Sequence, residues 1–208
     1  MIDHVKPSIV NVSNIWLHWV LANGAAGTVA MLAVLPLVIN LAYARQDIWL
    51  IGAVGGAGLG LALGAVQWWL LRRIFLVDAL WIALSVVGGA LGLAIGMLVA
   101  DYAAAATVGE TISRNRATML ATGSALNAAT GGLLFGLLLG LGQWLLLRRR
   151  VDSAACWIIA NAVGWTTALG LAALVGTTGA IGWLLVAGLI NGVLTGRLVQ
   201  RWATTASP

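Results

Sequence analysis

Long apolar runs, broken by short polar stretches, recur six times along this chain. The runs are continuous, without the polar–apolar alternation of a membrane β-strand, and most approach or exceed the roughly 20 residues needed to cross a bilayer as helix. They predict helix 1 over Ile15 to Tyr43, helix 2 over Ile48 to Leu71 and helix 3 over Ala79 to Ala100. Helix 4 is expected over Ala125 to Leu147, with room for an outward extension from Ala117. Helix 5 is expected over Ala155 to Val175 and helix 6 over Ile181 to Val199. Helix 1 is longer than a bilayer requires, so Pro36 predicts a kink or an end to its regular part. The fold class is therefore an all-α integral membrane bundle of six transmembrane helices in a single domain over 1–208.

The polar breaks carry a repeat. Gln67-Trp68-Trp69-Leu70-Leu71-Arg72-Arg73, followed by Ala79, Trp81 and Gly88, returns as Gln143-Trp144-Leu145-Leu146-Leu147-Arg148-Arg149, followed by Ala155, Trp157 and Gly164. The offset is a constant 76 residues. A constant offset across two spans and their loop indicates a duplicated hairpin. Repeat A covers 48–101 and repeat B 117–175.

Glycine ladders extend the pattern. Gly56, Gly60 and Gly64 on helix 2 match Gly132, Gly136 and Gly140 on helix 4. Helix 6 carries Gly188, Gly192 and Gly196. Gln67, Gln143 and Gln200 follow the three ladders, with Gln200 one residue out of step. Trp19 with Asn23, Trp81 with Ser85 and Trp157 with Asn161 mark helices 1, 3 and 5. Helices 1 and 6 thus read as a split repeat C, 15–43 plus 181–202, and the bundle is expected to have approximate threefold pseudo-symmetry. Glycines spaced by four let backbones approach in lipid, where association depends on van der Waals packing; a narrow pathway is the other use of such a face.

Composition agrees with the pattern. The chain is 61% hydrophobic and 8% charged, against roughly 25% charged for a soluble domain. A net charge of +5 would suggest nucleic acid in a soluble protein, but here the basic residues flank the spans, so no nucleic acid is expected. Lys6, Arg72, Arg73, Arg148, Arg149, Arg150, Arg197 and Arg201 fall on one side, and Arg45, Arg114 and Arg116 on the other. The positive-inside rule then places both termini in the cytoplasm and reads the chain as a multi-pass protein of the cytoplasmic (inner) membrane. Trp16, Trp19, Trp68, Trp69, Trp81, Trp144, Trp157 and Trp202 gather at the basic side and predict an interfacial belt. The run after Met1–Asn14 is too long for the apolar part of a cleaved signal and reads as a retained helix. Asp101 to Arg116 reads as an outer linker, and 176–179 as a tight turn.

Candidate chemistry is sparse. Gln67, Ser85, Gln143, Asn161, Gln200 and Asn23 form an expected polar ring at one depth, with Gln67 meeting Ser85 and Gln143 meeting Asn161 across their hairpins. Interhelical hydrogen bonding is the plainest use of the ring. A site for a headgroup, ion or solute, and amide ligation of a pigment magnesium, are the others. His18 is a candidate cofactor ligand for metal, haem or chlorophyll, against the plainer role of satisfying a headgroup or backbone. Cys156 is the single cysteine, which excludes an internal disulfide. No acid, lysine or histidine lies at mid-span, and no phosphate loop, carboxylate pair or zinc spacing appears.

The tandem string of glycine ladder, Gln-Trp-x-x-Leu-Arg-Arg and Trp-Ile-x-x-Asn/Ser resembles uncharacterised bacterial polytopic membrane proteins that carry this hairpin in tandem. The resemblance spans roughly Ile48 to Ala172 and implies architecture, with no activity attached. The helix count is also similar to the substrate-capture subunits of vitamin importers, which lack the tandem repeat. The expectation is a non-catalytic structural or accessory subunit whose partners are membrane lipids and other membrane subunits. No cofactor is required by the sequence, although lipid or pigment fits it. A small-solute or lipid carrier or channel, and a pigment- or haem-associated subunit, are the alternatives.

Overall fold

The computed structural model describes residues 14–75, 77–108, 125–175 and 180–205. Among the described residues, six helices account for the regular structure: α1 (Ile15–Tyr43), α2 (Ile48–Leu71), α3 (Leu80–Val108), α4 (Ala125–Leu147), α5 (Cys156–Val175) and α6 (Ala180–Thr205). Five of them, α1 to α5, are long and apolar enough to cross a membrane. Helix α6 carries Asn191, Thr195, Arg197, Gln200 and Arg201 in its second half. The outer linker beyond Val108, the extension from Ala117 and the 176–179 turn lie outside the described residues.

Two boundaries differ from expectation. Helix α3 runs on to Val108 because alanine-rich sequence after Asp101 favours helix even where apolar patterning has ended. Helix α6 runs past Val199 to Thr205, carrying Gln200 and Arg201 as helical residues. Helix α1 remains helical through Pro36 and stops at Tyr43. Its end is a Schellman-type cap: Arg45 N–H donates to Ala42 O at 3.1 Å and Gln46 N–H to Leu41 O at 3.1 Å. Arg45 occupies the left-handed position usually given to glycine, with φ 54°.

The helices pack in a closed ring, each against its neighbours in chain order, and α6 returns to α1. The first and last helices are therefore adjacent. Within each hairpin the ladders meet backbone. A Cβ at Gly60 would strike the Ser85 carbonyl oxygen, one at Gly136 the Asn161 carbonyl oxygen, and one at Gly188 the Asn23 carbonyl oxygen. One turn on, Gly64 faces Ser85 Cβ, Gly140 faces Asn161 Cβ and Gly192 faces Asn23 Cβ. The first rungs, Gly56 and Gly132, abut the carbonyls of Gly89 and Trp165.

These contacts shift the register of the third ladder. Gly188 corresponds to Gly60 and Gly136, whereas the sequence alignment places it beside Gly56 and Gly132. The α6 rung equivalent to Gly56 is Leu184, whose carbonyl abuts Gly27 of α1. Gly196 faces the rings of Trp16 and Trp19. Spacing alone could not fix this register, because a ladder of period four matches itself when moved by one rung.

Two apolar clusters fill the ring. One, toward the basic end, includes Trp19, Trp81, Trp157, Trp202, Leu71, Leu147 and Phe75. The other, deeper, includes Leu59, Leu63, Phe135, Leu139, Trp165 and Ala30. The outward faces remain apolar and exposed, as at Leu21, Val29, Leu61, Val87, Leu133 and Ile159. With five spans of this kind, the protein is membrane-embedded.

Candidate functional site: a buried amide layer

Between the two apolar clusters lies a layer of polar side chains with no solvent exposure: Asn23, Gln67, Ser85, Gln143, Asn161, Asn191 and Thr195. Each stands at or beside a glycine contact, where close backbone approach draws polar side chains of neighbouring helices into reach. Gln67 and Gln143 follow Gly64 and Gly140 by three residues, so they share the ladder face.

Three of the bonds run between hairpins. Gln67 Nε2 donates to Asn23 Oδ1 at 2.8 Å, joining α2 to α1. Gln143 Nε2 donates to Ser85 Oγ at 2.9 Å, joining α4 to α3, and also to Gln67 Oε1 at 2.9 Å. Gln143 Oε1 accepts from Trp157 Nε1 at 2.8 Å. The expected pairings of Gln67 with Ser85, and of Gln143 with Asn161, are not among these bonds. Asn23, Ser85 and Asn161 each donate to the carbonyl oxygen four residues back, at Trp19, Trp81 and Trp157. That local bond fixes each side chain along its own helix, and the oxygens of Asn23 and Ser85 accept from the glutamines of the neighbouring hairpins.

The third member of the layer is Thr195. By the register of the glycine contacts, it follows Gly192 as Gln67 follows Gly64 and Gln143 follows Gly140. Its Oγ accepts from Trp19 Nε1 at 2.9 Å and donates to Asn191 O at 2.8 Å. Gln200 is half-buried, more than a turn beyond Thr195, and makes none of these bonds. Thr195 and Asn191 are the members that sequence reasoning missed. Once the third ladder is moved by one rung, the glycine-plus-three rule finds Thr195.

Some buried polar atoms have no partner. They are Trp81 Nε1, Asn161 Oδ1, Trp165 Nε1, Trp202 Nε1 and both amide atoms of Asn191. Trp157, offset from Trp81 by the same 76 residues, donates to Gln143 Oε1, whereas the matching Gln67 oxygen accepts from Gln143 instead.

The tryptophans divide into two sets. Trp19, Trp81, Trp157 and Trp202 are interior, with Trp157 at 5.9 Å from Trp19, 5.9 Å from Trp81 and 5.8 Å from Trp202 between ring centroids. The expected interfacial belt is corrected to Trp16, Trp68, Trp69 and Trp144. Each of these has an arginine over its ring, Arg197, Arg72, Arg73 and Arg148 respectively, at 3.9–5.1 Å. Arg150 Nη1 ties the α4–α5 loop to the α2–α3 loop by donating to Phe75 O at 2.8 Å. Indoles packed edge-to-face and linked loops close the basic end.

His18 lies on the exposed face of α1, and its Nδ1 is 2.8 Å from Asn14 O. That contact leaves Nε2 as the ring atom turned away from the helix backbone. Cys156 is exposed. Among the described residues, no group of three or more His, Cys, Asp or Glu side chains could hold a metal ion.

Fold and site together define a helical integral membrane protein with a hydrogen-bonded amide layer. No family model, curated protein or solved structure matches the chain.

Proposed function

We propose that this protein works by association, as a non-catalytic structural or accessory subunit of a larger membrane assembly. The observation that carries this reading is the amide layer. Gln67, Asn23, Gln143 and Ser85 hydrogen-bond to one another and bind three hairpins into one body. A transport site would instead hold such groups toward a cavity. The tryptophan cluster beside the layer supports the same reading, because indoles packed edge-to-face leave little room for a polar path. The three equivalent helix pairs support the reading of approximate threefold pseudo-symmetry. The excess of arginine at the Gln67 end supports placing that end in the cytoplasm.

Extraction in mild detergent should give a particle far larger than one 21.5 kDa chain in its micelle, with other membrane subunits at fixed stoichiometry. The purified chain in liposomes should show no solute flux above empty vesicles. Saturable, substrate-specific flux would replace this proposal with a carrier. Single cysteines at Asp78 and Asp152, in a Cys156→Ser background, should be shielded from an impermeant reagent added outside, whereas one at Asp47 should react.

A further inference from the structure

The three inter-hairpin junctions are built to one plan, and one of them is incomplete. At α1–α2, Gln67 supplies the donor that Asn23 Oδ1 accepts. At α3–α4, Gln143 supplies the donor that Ser85 Oγ accepts. At α5–α6, the residue in the glutamine position is Thr195, and the acceptor waiting for it is Asn161 Oδ1. Thr195 cannot serve: its single hydroxyl proton goes to Asn191 O. Asn161 Oδ1 is left without a donor, at zero exposure.

The same junction holds the other unpartnered amide. Asn191 lies on α6 against Gly164 of α5, its Oδ1 beside the place where a Cβ would stand. Neither Asn191 Oδ1 nor Nδ2 has a partner, and the residue is fully buried. Gly164 follows Asn161 by three residues on α5, and Thr195 follows Asn191 by four on α6. The unmet groups therefore fall within about one helical turn of each other along both helices.

We infer that the α5–α6 junction is a hydration site: ordered water occupies the place of the missing glutamine, donating to Asn161 Oδ1 and bonding to the Asn191 amide. Threonine has two fewer side-chain heavy atoms than glutamine, which frees room of the order of one water, about 30 Å³ of liquid. Buried water characteristically makes two to four bonds to such groups. The chemistry selects a neutral guest. The unmet set contains both donors and acceptors and no charge, whereas a cation would require acceptors alone and an anion donors alone.

The test is magnetisation transfer from water to asparagine side-chain amides, by solid-state NMR of the protein in liposomes. The wild type should show a water cross-peak at the Asn191 amide, and Thr195→Gln should lose it as the new amide reaches Asn161. Gln67→Thr, which moves the gap to α1–α2, should create a water cross-peak at the Asn23 amide. A wild-type Asn191 amide without water contact overturns the inference, as does an Asn23 amide that stays dry in Gln67→Thr. A co-purifying solute identified at Asn191 in place of water also overturns it.

Discussion

The α3–α4 and α5–α6 junctions start from the same sequence plan and end differently. On α3, Gly88, Gly92 and Gly96 lie against the α4 backbone at Leu138, Leu139, Phe135 and Gly131. Gln143 then adds bonds to Ser85, Gln67 and Trp157. On α5 the corresponding residues are Gly164, Ala168 and Ala172, and the bridging residue opposite is Thr195. Replacing glycine rungs by alanine and one amide by a hydroxyl turns a close, satisfied contact into one with three unmet polar atoms. Buried polar side chains need partners, and at α5–α6 Asn161 Oδ1 and the Asn191 amide find none among the described residues.

The largest effect should come from the close junction. A Cβ at Gly92 would lie 2.6 Å from Phe135 Cα, and backbone cannot yield as a side chain can. Gly92→Val should cost about 1–3 kcal/mol or prevent folding, read as a lower unfolding midpoint in detergent. An unchanged midpoint would break the account of α3–α4 as the tightly closed junction.

Next come the bridging residues. Gln143→Leu removes three hydrogen bonds and strands Gln67 Oε1 and Trp157 Nε1; about 2 kcal/mol of destabilisation is expected. Thr195→Val removes the acceptor of Trp19 Nε1 and should cost about 1 kcal/mol. Equal losses in the two variants, measured by unfolding in mixed micelles, would mean that the junctions differ less than their bonding suggests.

Two smaller changes are expected to stabilise. Nothing stands within 4 Å of a Cβ at Gly131, so Gly131→Ala should gain about 0.5–1 kcal/mol from backbone entropy, in contrast to Gly92 across the same junction. At the opposite end of α1, Arg45→Gly relieves a left-handed conformation in an exposed cap and should gain a few tenths to about 1 kcal/mol. A fall in midpoint for Gly131→Ala would show that α3 and α4 approach more closely at Gly131 than their contacts indicate.

The sequence by itself determined the helices, the helix faces made of small residues and the identity of most buried polar groups. Apolar length, glycine spacing and amide chemistry are local properties, legible one segment at a time. Asn23, Gln67, Ser85, Gln143 and Asn161 were all recognisable because each sits at a fixed distance from a tryptophan or a ladder glycine. Only the tertiary structure decided which of them meet. The glutamines reach past their own hairpin because Asn23 and Ser85 are held with their oxygens toward the next one. Trp19, Trp81 and Trp157 turn inward rather than toward the interface, a choice that depends on which face of each helix its neighbours cover. The third ladder takes its register from Leu184, Asn23 and Gly27, residues distant in sequence, and that register makes Thr195 rather than Gln200 the third member of the layer. A pattern with a period of one helical turn carries no information about which turn comes first; that is decided by where two backbones can approach.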